Sequence, residues 1–559
     1  MKKIIFFITL FSIIIFFGKN LNPYSHSMFI VHDETQPARI QEFALNLKNF
    51  VIPPRLAPYF SFRLGYPVFN FYAPASYWIT SIFSLVGHDP IASLKFSFLL
   101  SMIVGFAGSY FFFREHFDFY PSLTGSILYI SSLYYPLDIF VRGNLGEVWF
   151  LALFPLALFV LERNAKKPSK LSLFFSVITL SLLFTVHNLL SAVSFVFILI
   201  FIFLRPHAKI NVFSVILSLL LSSYFLLPLI IENRLTYASY VAAQTKYVDH
   251  FVCPYQLWQS PWGFGGSTKG CTDGMSFKIG KIHLILALAG ILAFLFNLLK
   301  SKKEKITRLA LFLLILSAGS LFMTTYFSKP IWDLFSPISA LFQFPWRFIA
   351  FSLLGLSFFA VYFFHHIKYR FKNIILLFFI LLVLINQSRY FYGLSLNKDH
   401  FQKKYLSQEY IEKTVAYKIA EYLPKTAEYQ SWRNFDNSKQ FFQQLNFDYT
   451  MPAETGGTRL IIIRNSLFEK EFKINQPAVI YLNIHYFPFW RILINGTPYT
   501  PHQFDMLGRP QLVLTQPSSI QVAYRETFAE QLGNYITLLS FFILVYTIRS
   551  KKLWNRLVN

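Results

Sequence analysis

Acidic side chains are scarce in this chain. Asp and Glu total 27 in 559 residues against 51 Lys and Arg, and charged residues of both signs make up 14%. A soluble domain carries about 25%, so the chain lacks the charge to solvate a surface of its size in water. Cysteine is nearly missing. Cys253 and Cys271 are the only two, which argues against a cysteine-built metal centre or a disulfide-dense scaffold. Both fall in one predicted loop, where a single disulfide and two free thiols are equally open. No Gly-x-x-x-x-Gly-Lys phosphate loop, Rossmann glycine pattern or Gly-x-Ser-x-Gly elbow occurs, which argues against a chain that carries its own ATPase. There is no internal repeat and no low-complexity tract.

What is abundant is apolar surface. Hydrophobic residues make up 54%, aromatics 19% and Phe alone 68 residues, with a mean hydropathy of +0.44. These values describe a polytopic membrane protein. The formal charge of +24 raises nucleic-acid binding, but the cations lie in short runs between apolar segments, where they orient a membrane protein. No nucleic-acid partner is expected. Lys2-Lys3 and the apolar run to Phe17 resemble a signal peptide, yet Gly18-Lys19-Asn20 offers no small-x-small cleavage site, so an uncleaved anchor is expected.

Twelve apolar stretches read as membrane spans, at about 3–18, 91–113, 121–136, 148–161, 171–186, 189–204, 211–231, 281–299, 309–327, 346–364, 373–389 and 531–548. A thirteenth, 72–87, decides the topology. Counted as a span, it places Lys166, Lys167, Lys170 and the 300–308 cluster outside. Laid along the interface, it leaves every basic cluster in the cytoplasm, which the Lys/Arg bias of short loops favours. Its aromatic opening, Tyr72-Ala-Pro-Ala-Ser-Tyr-Trp78, also suits the headgroup region. The expectation is a protein of the cytoplasmic membrane with both termini inside, whose outer pieces are 19–90, 137–147, 232–280 and 390–530. Residues 1–389 form a transmembrane domain, 390–530 an extracytoplasmic domain and 531–559 a last helix with a basic tail. The outer segment begins helix-like (Lys398–Leu423) and then alternates with period two, Ile480, Leu482 and Ile484 against Tyr481, Asn483 and His485. Asn495-Gly496 reads as a hairpin turn. A small β-sandwich is expected there.

Six groups on the outer side could carry chemistry. His32-Asp33-Glu34 follows the first span. Adjacent carboxylates can divide the work of a general base and of holding a divalent ion, and a solvated polar loop is the plain alternative. Pro53-Pro54-Arg55 through Tyr66 and Tyr72 to Pro74 is an irregular aromatic loop suited to a sugar or an isoprenoid chain, or to interfacial anchoring. Arg142-Gly-Asn-Leu-Gly-Glu147 sets a cation and a carboxylate in one short loop. Arg142 suits a phosphate, and Glu147 suits a metal, an acceptor or an ion pair with Arg142. His187-Asn188 breaks a long apolar run at its outer end. Gln343-Phe-Pro-Trp346-Arg347 opens a span and offers another phosphate ligand or a snorkelling cation. Trp258 to Gly266, with Trp262, is a weaker sugar-stacking loop.

In order and spacing, these groups resemble membrane glycosyltransferases of the GT-C superfamily, most closely its YfhO-like bacterial branch. A neighbouring group carries the label "6-pyruvoyl-tetrahydropterin synthase-related", although nothing in the chain supports pterin chemistry. The resemblance also rests on Gly65-Tyr-Pro-Val-Phe-Asn-Phe-Tyr-Ala-Pro74, Tyr486-Phe-Pro-Phe-Trp490 and Ile494-Asn-Gly496. It implies a mainly α, GT-C-like fold with interfacial helices in the first outer loop. It also implies a catalytic acid at Asp33 or Glu34, a second acid at Glu147, and a sugar donor on polyprenyl phosphate. The acceptor is a glycan, cell-wall polymer or lipid. Some branches use a divalent metal such as Mg or Mn and others none; Asp33, Glu34 and His187 are the candidate ligands. Many relatives carry a different residue where Glu34 stands, which leaves the base open between Asp33 and Glu34, with Asp33 favoured. The rival classes are a lipid-linked glycan flippase or transporter, which would line a path through the bilayer with polar groups, and a non-catalytic protein of cell-envelope biogenesis.

Overall fold

The computed structural model describes the chain except residues 207, 245, 301–305, 337–340, 430–447 and 559. Most of the basic run at 300–308 and part of the outer segment therefore lie outside the described residues. Every apolar stretch read as a span is helical. The longer helices among the described residues are α1 (Lys2–Phe16), α2 (Gln36–Lys48), α3 (Ala75–Leu85), α4 (Pro90–Arg114), α5 (Phe119–Ser131), α6 (Leu145–Lys166), α7 (Lys170–Phe184), α8 (Asn188–Phe203), α9 (Ala208–Leu221), α10 (Ser223–Glu232), α11 (Lys281–Leu299), α12 (Thr307–Thr324), α13 (Ile349–His366), α14 (Lys372–Ser388) and α15 (Phe528–Arg549).

Among the described residues six helices have the length and apolarity to cross a bilayer, α4, α6, α11, α12, α13 with the turn before it, and α15. The expected span at 211–231 is instead two helices, α9 and α10, bent by 65° where they meet, and counting that pair as one span makes seven. The other predicted spans form helices of 13 to 17 residues. At about 1.5 Å per residue these fall short of the roughly 30 Å hydrocarbon core. The count of twelve is therefore not reached on length alone.

Residues 72–87 contain only the 11-residue α3, too short to cross. Its Ser/Thr face packs inward, with Thr80 Oγ1 2.6 Å from Ser97 Oγ and Ser84 Oγ 2.9 Å from Ser93 Oγ on α4. Ile82, Leu85 and Val86 are exposed. A helix with its polar face buried and its apolar face outward suits a lipid-facing position.

Helix starts are set locally. Asp89 caps α4, accepting from the Ile91 and Ala92 amides at 3.0 Å. Thr527 and Glu530 close a capping box on α15. Close helix contact also needs small residues: a Cβ on Gly108 of α4 would sit 2.9 Å from the Leu156 amide nitrogen on α6.

The strands expected around 480–524 are present, and a pair that the sequence did not announce joins residues 27–30 to 394–397. β1 (Ser27–Ile30) pairs antiparallel with β2 (Leu394–Asn397), in register Ser27 with Asn397. This tie brings residues 394–397 to the loop after α1. Further on, β3 (Ala453–Glu454), β4 (Leu460–Asn465), β5 (Glu469–Ile474), β6 (Ala478–Leu482), β7 (Trp490–Ile494), β8 (Thr497–Tyr499), β9 (Gln511–Leu514) and β10 (Ser518–Tyr524) form two antiparallel sheets. Their orders are β4-β5-β10-β7-β8 and β3-β6-β9. Asn495 (φ 51°) and Gly496 (φ 80°) make the β7–β8 turn, and Ile480, Leu482, Ile520 and Val522 point inward, as the alternation predicts.

The β region docks on the first loop. The His485 amide donates to the Leu64 carbonyl at 2.7 Å, and Tyr66 Oη donates to the Ile419 carbonyl at 2.6 Å.

Candidate functional site

One cavity of 770 Å³ gathers residues from six separate parts of the chain, one of them the stretch 229–275 with His250, Gly266 and Ser267. The first loop supplies His32, Asp33, Arg39 and Tyr72. The α5–α6 connection supplies Arg142 and Asn144, and the α7–α8 break supplies His187 and Asn188. Trp346 and Arg347 come from the turn before α13. Lys418, Glu421 and Tyr422 come from the segment leading to the β region. Of the residues singled out in the sequence, Asp33, Tyr72, Arg142, His187, Asn188, Trp346 and Arg347 line this one space.

Asp33 is held by its backbone. Its amide donates to the Arg142 carbonyl at 2.9 Å, and its carbonyl accepts from the Gln36 amide at 3.1 Å. The half-buried carboxylate is thereby presented at the cavity wall without a side-chain clamp. Gly143 makes this approach possible. Its φ of +64° ends the turn after Arg142, and a Cβ there would lie 2.5 Å from Val31 Cγ2.

Of the alternatives open for Glu147, a catalytic or acceptor-holding acid, a metal ligand or an ion pair with Arg142, the structure shows the ion pair. Glu147 is fully buried at the start of α6 and does not line the cavity. Arg142 grips it bidentately, with Nη2 2.8 Å from Oε1. Arg347 Nε donates to Oε1 at 2.9 Å and Tyr134 Oη donates to Oε2 at 2.9 Å. His187 Nε2 stands 3.5 Å away. Arg142 also bonds Asp138 and lies 4.4 Å over the Trp346 ring. A carboxylate held by so many donors has no lone pair spare for an acceptor proton. The geometry instead makes it the buried anchor that aims two guanidiniums at the cavity.

Four other expected residues stand apart. Glu34 pairs with Lys418. Arg55 is buried among Asn70, the Tyr224 carbonyl and Asn534, and ties the first loop to α10 and α15. Tyr66 is buried, its hydroxyl donating to the Ile419 carbonyl in the segment that leads to the β region. Trp262 packs on Tyr390, 5.3 Å between centroids, outside the cavity. Cys253 and Cys271 are joined in a disulfide, Cα atoms 5.6 Å apart.

The sequence leaves metal use open, with Asp33, Glu34 and His187 as candidate ligands, and the donors of the last two are engaged elsewhere. Glu34 is committed to Lys418. His187 Nδ1 accepts from the Leu190 amide at 3.3 Å, and its Nε2 faces Glu147. Among the described residues no three His, Cys, Asp or Glu side chains come together at metal-binding distance.

Sequence reasoning missed Arg39, Lys418, Glu421 and Tyr422. Arg39 is the most informative. It is 5% exposed, its Nε has no hydrogen-bond partner, and its Nη1 reaches only Tyr77 Oη at 3.4 Å. Its guanidinium lies 4.6 Å over the Tyr72 ring. Burial opposes the charge, but Tyr77, Tyr72 and Asp33 outweigh it, so the cation is held above its usual pKa. Glu421 is pushed above the usual carboxylate range by desolvation. A lone Arg in the helix after Asp33 was the available signal for Arg39. Nothing local marks Lys418, which is 384 residues from Glu34.

No curated protein matches the sequence. The structure resembles the arabinofuranosyltransferase AftD from Mycobacteria at TM-score 0.45 and 10% identity, over 70% of this chain and 26% of that one. It resembles the Archaeoglobus fulgidus oligosaccharyltransferase at TM-score 0.42 and 14% identity, over 73% of this chain and 60% of that one. The chain thus spans about a quarter of the length of the first and three fifths of the second. The profile described as "6-pyruvoyl-tetrahydropterin synthase related domain; membrane protein" matches residues 69–393, more than half of the 559 residues, and the chain belongs to that family of membrane proteins.

Proposed function

We propose that this protein is a GT-C-type glycosyltransferase of the cytoplasmic membrane, with both termini inside and the 770 Å³ cavity opening outside. It transfers a sugar from a polyprenyl-phosphate donor to an extracytoplasmic glycan, cell-wall polymer or lipid. The observation that carries this reading is the convergence in one cavity of a presented carboxylate, Asp33, with the cations Arg39, Arg142 and Arg347.

The chemistry follows from the charges. The acceptor hydroxyl oxygen attacks the anomeric carbon, and its proton passes to Asp33. The bond from that carbon to the phosphate oxygen breaks, and the phosphate leaves with the electron pair. A single displacement inverts the anomeric centre. Arg39, Arg142 and Arg347 face the charge that grows on the leaving phosphate. Preorganised stabilisation of that charge usually lowers the barrier more than any other effect in a transfer of this kind. Glu147 acts as a positioning residue behind them. Asp33 is favoured over Glu34 as the base because Glu34 is neutralised by Lys418. Tyr72, Trp346 and Asn188 offer flat and polar surface for the sugar.

The test is transfer of labelled sugar by membranes carrying Asp33→Asn. A fall of about 10²–10⁴-fold is expected, with protein level and melting midpoint unchanged. Full activity in that variant would remove Asp33 from the mechanism.

A further inference from the structure

A second cavity, of 710 Å³, shares no lining residue with the first. It lies where the N-terminal end of α11 meets the C-terminal end of α14, under the loop at Trp258–Ser260. Three cations line it, Lys278, Lys281 and Arg389, and no Asp or Glu does. Lys281 is the first residue of α11, and Arg389 follows the last residue of α14. The three therefore sit at the level where two apolar helices end.

Two of these cations crowd one ring. Lys278 Nζ is 4.6 Å and Arg389 Cζ 5.0 Å from the Tyr390 centroid. Lys281 Nζ is 5.5 Å from the Trp258 ring. Aromatic faces offset part of the repulsion between like charges, but three cations in one cavity without a carboxylate favour an anion. The polar partners of Lys281 and Arg389 are neutral amides, Gln259 and Asn386, both at 3.4 Å. Gln387 adds an independent sign. It lines the cavity at 6% exposure, and its Oε1 has no hydrogen-bond partner. A buried amide oxygen without a donor is costly and is satisfied by a hydroxyl. The remaining wall is the apolar face of α14, including Phe379, Leu382 and Val383.

We infer that this cavity binds an anionic phospholipid of the bilayer. The lipid phosphate lies among Lys278, Lys281 and Arg389, a headgroup or glycerol hydroxyl donates to Gln387 Oε1, and an acyl chain runs along α14. Basic pockets between the ends of membrane helices hold anionic headgroups in this way. The site is independent of the proposed transfer chemistry. With the first cavity facing outside, the insertion of the chain does not explain these cations either, since orienting Lys and Arg gather on the cytoplasmic side.

The test uses the full-length protein in non-ionic detergent, titrated with fluorescent phosphatidylglycerol, phosphatidylcholine and soluble glycerol phosphate. Saturable phosphatidylglycerol binding is expected, at least tenfold tighter than either of the others. Each cation removed should weaken it about fivefold, and K278Q/K281Q/R389Q on the order of a hundredfold. Gln387→Leu, with all cations kept, should weaken it by a smaller factor. Equal binding of phosphatidylcholine would overturn the inference. So would competition by glycerol phosphate at equal concentration, which would assign the site to free phosphate. If the triple variant does not fold, the single variants Lys278→Gln and Lys281→Gln decide, and unchanged binding in both refutes the site.

Discussion

Neutralising Glu147 and neutralising Asp33 should produce opposite signatures, although both remove one carboxylate from one region. Glu147 is fully buried, and its two oxygens accept from Arg142, Arg347 and Tyr134. Glu147→Gln leaves one acceptor oxygen and turns an NH₂ group toward guanidinium donors. It also leaves the buried Arg142 and the half-buried Arg347 facing Asp138 as their nearest remaining carboxylate. Breaking a buried ion pair by removing one partner costs about 3–5 kcal/mol, a large share of a stability of about 5–15 kcal/mol. Asp33 is held through its main chain, to the Arg142 carbonyl at 2.9 Å and the Gln36 amide at 3.1 Å, and Asn keeps both bonds. Its stability change should stay within about 0.5 kcal/mol, while transfer falls about 10²–10⁴-fold. Purified variants would be followed by intrinsic tryptophan fluorescence on heating and by transfer of labelled sugar. Glu147→Gln should melt many degrees lower and lose activity with its structure. An unshifted midpoint for Glu147→Gln would refute the ion-pair anchor. A drop for Asp33→Asn as large as that for Glu147→Gln would refute the division of labour.

Three further outcomes follow from the same geometry. Arg39→Gln should raise the donor KM about 10- to 100-fold, the worth of a charge-assisted hydrogen bond of about 1.5–3 kcal/mol, with a smaller change in kcat and partial rescue by Arg39→Lys; steady-state titration of the lipid donor checks this. Gly143→Ala meets Val31 Cγ2 at 2.5 Å and forces a side chain to φ +64°, so it should cost at least about 1–2 kcal/mol and lower transfer by displacing the turn after β1 that carries Asp33, both measurable on the purified protein. Glu42 is buried, and desolvation raises its carboxyl from 4.5 to about 8 despite a 2.8 Å bond from the Tyr59 amide. The folded state thus holds a proton that the unfolded state releases, so stability present below pH 4.5 is lost as the pH rises toward about 8. Glu42→Gln should flatten that part of the melting profile, and an unchanged pH dependence would contradict it.

Much of the fold is legible in the sequence because membrane helices and amphipathic strands are written in local pattern. The apolar stretches at 91–113, 148–161 and 281–299 each became a helix, and Asn495-Gly496 became the β7–β8 turn. The span count was less legible because hydropathy does not report where a helix bends. The stretch 211–231 reads as one apolar run, yet it breaks at Ser222 between α9 and α10. Nor does hydropathy say which way a short helix faces. The Ser and Thr of α3 turn inward because α4 offers Ser93 and Ser97 as partners, a fact that lies in the packing and not in residues 72–87.

The candidate site was half legible, for a physical reason. Arg142, His187 and Arg347 could be grouped because each is a polar break at the end of an apolar run, and Asp33 because the predicted topology puts the loop after the first span on the same face. That criterion gathers residues to a face without saying which are exposed to the cavity and which are consumed by one another. Glu147 and Asp33 look alike by it. The structure separates them by their partners: Glu147 is surrounded by donors and presents no free oxygen, whereas Asp33 is fixed only through its backbone. Arg39 is the converse case. It breaks no apolar run, so no pattern of that kind marks it, yet its Nε lacks a partner at the wall of the cavity. A buried guanidinium in that state costs free energy unless an anion completes it. The carboxylate with too many partners and the cation with too few together argue that the cavity is built to receive negative charge, as the leaving phosphate of a lipid donor would supply.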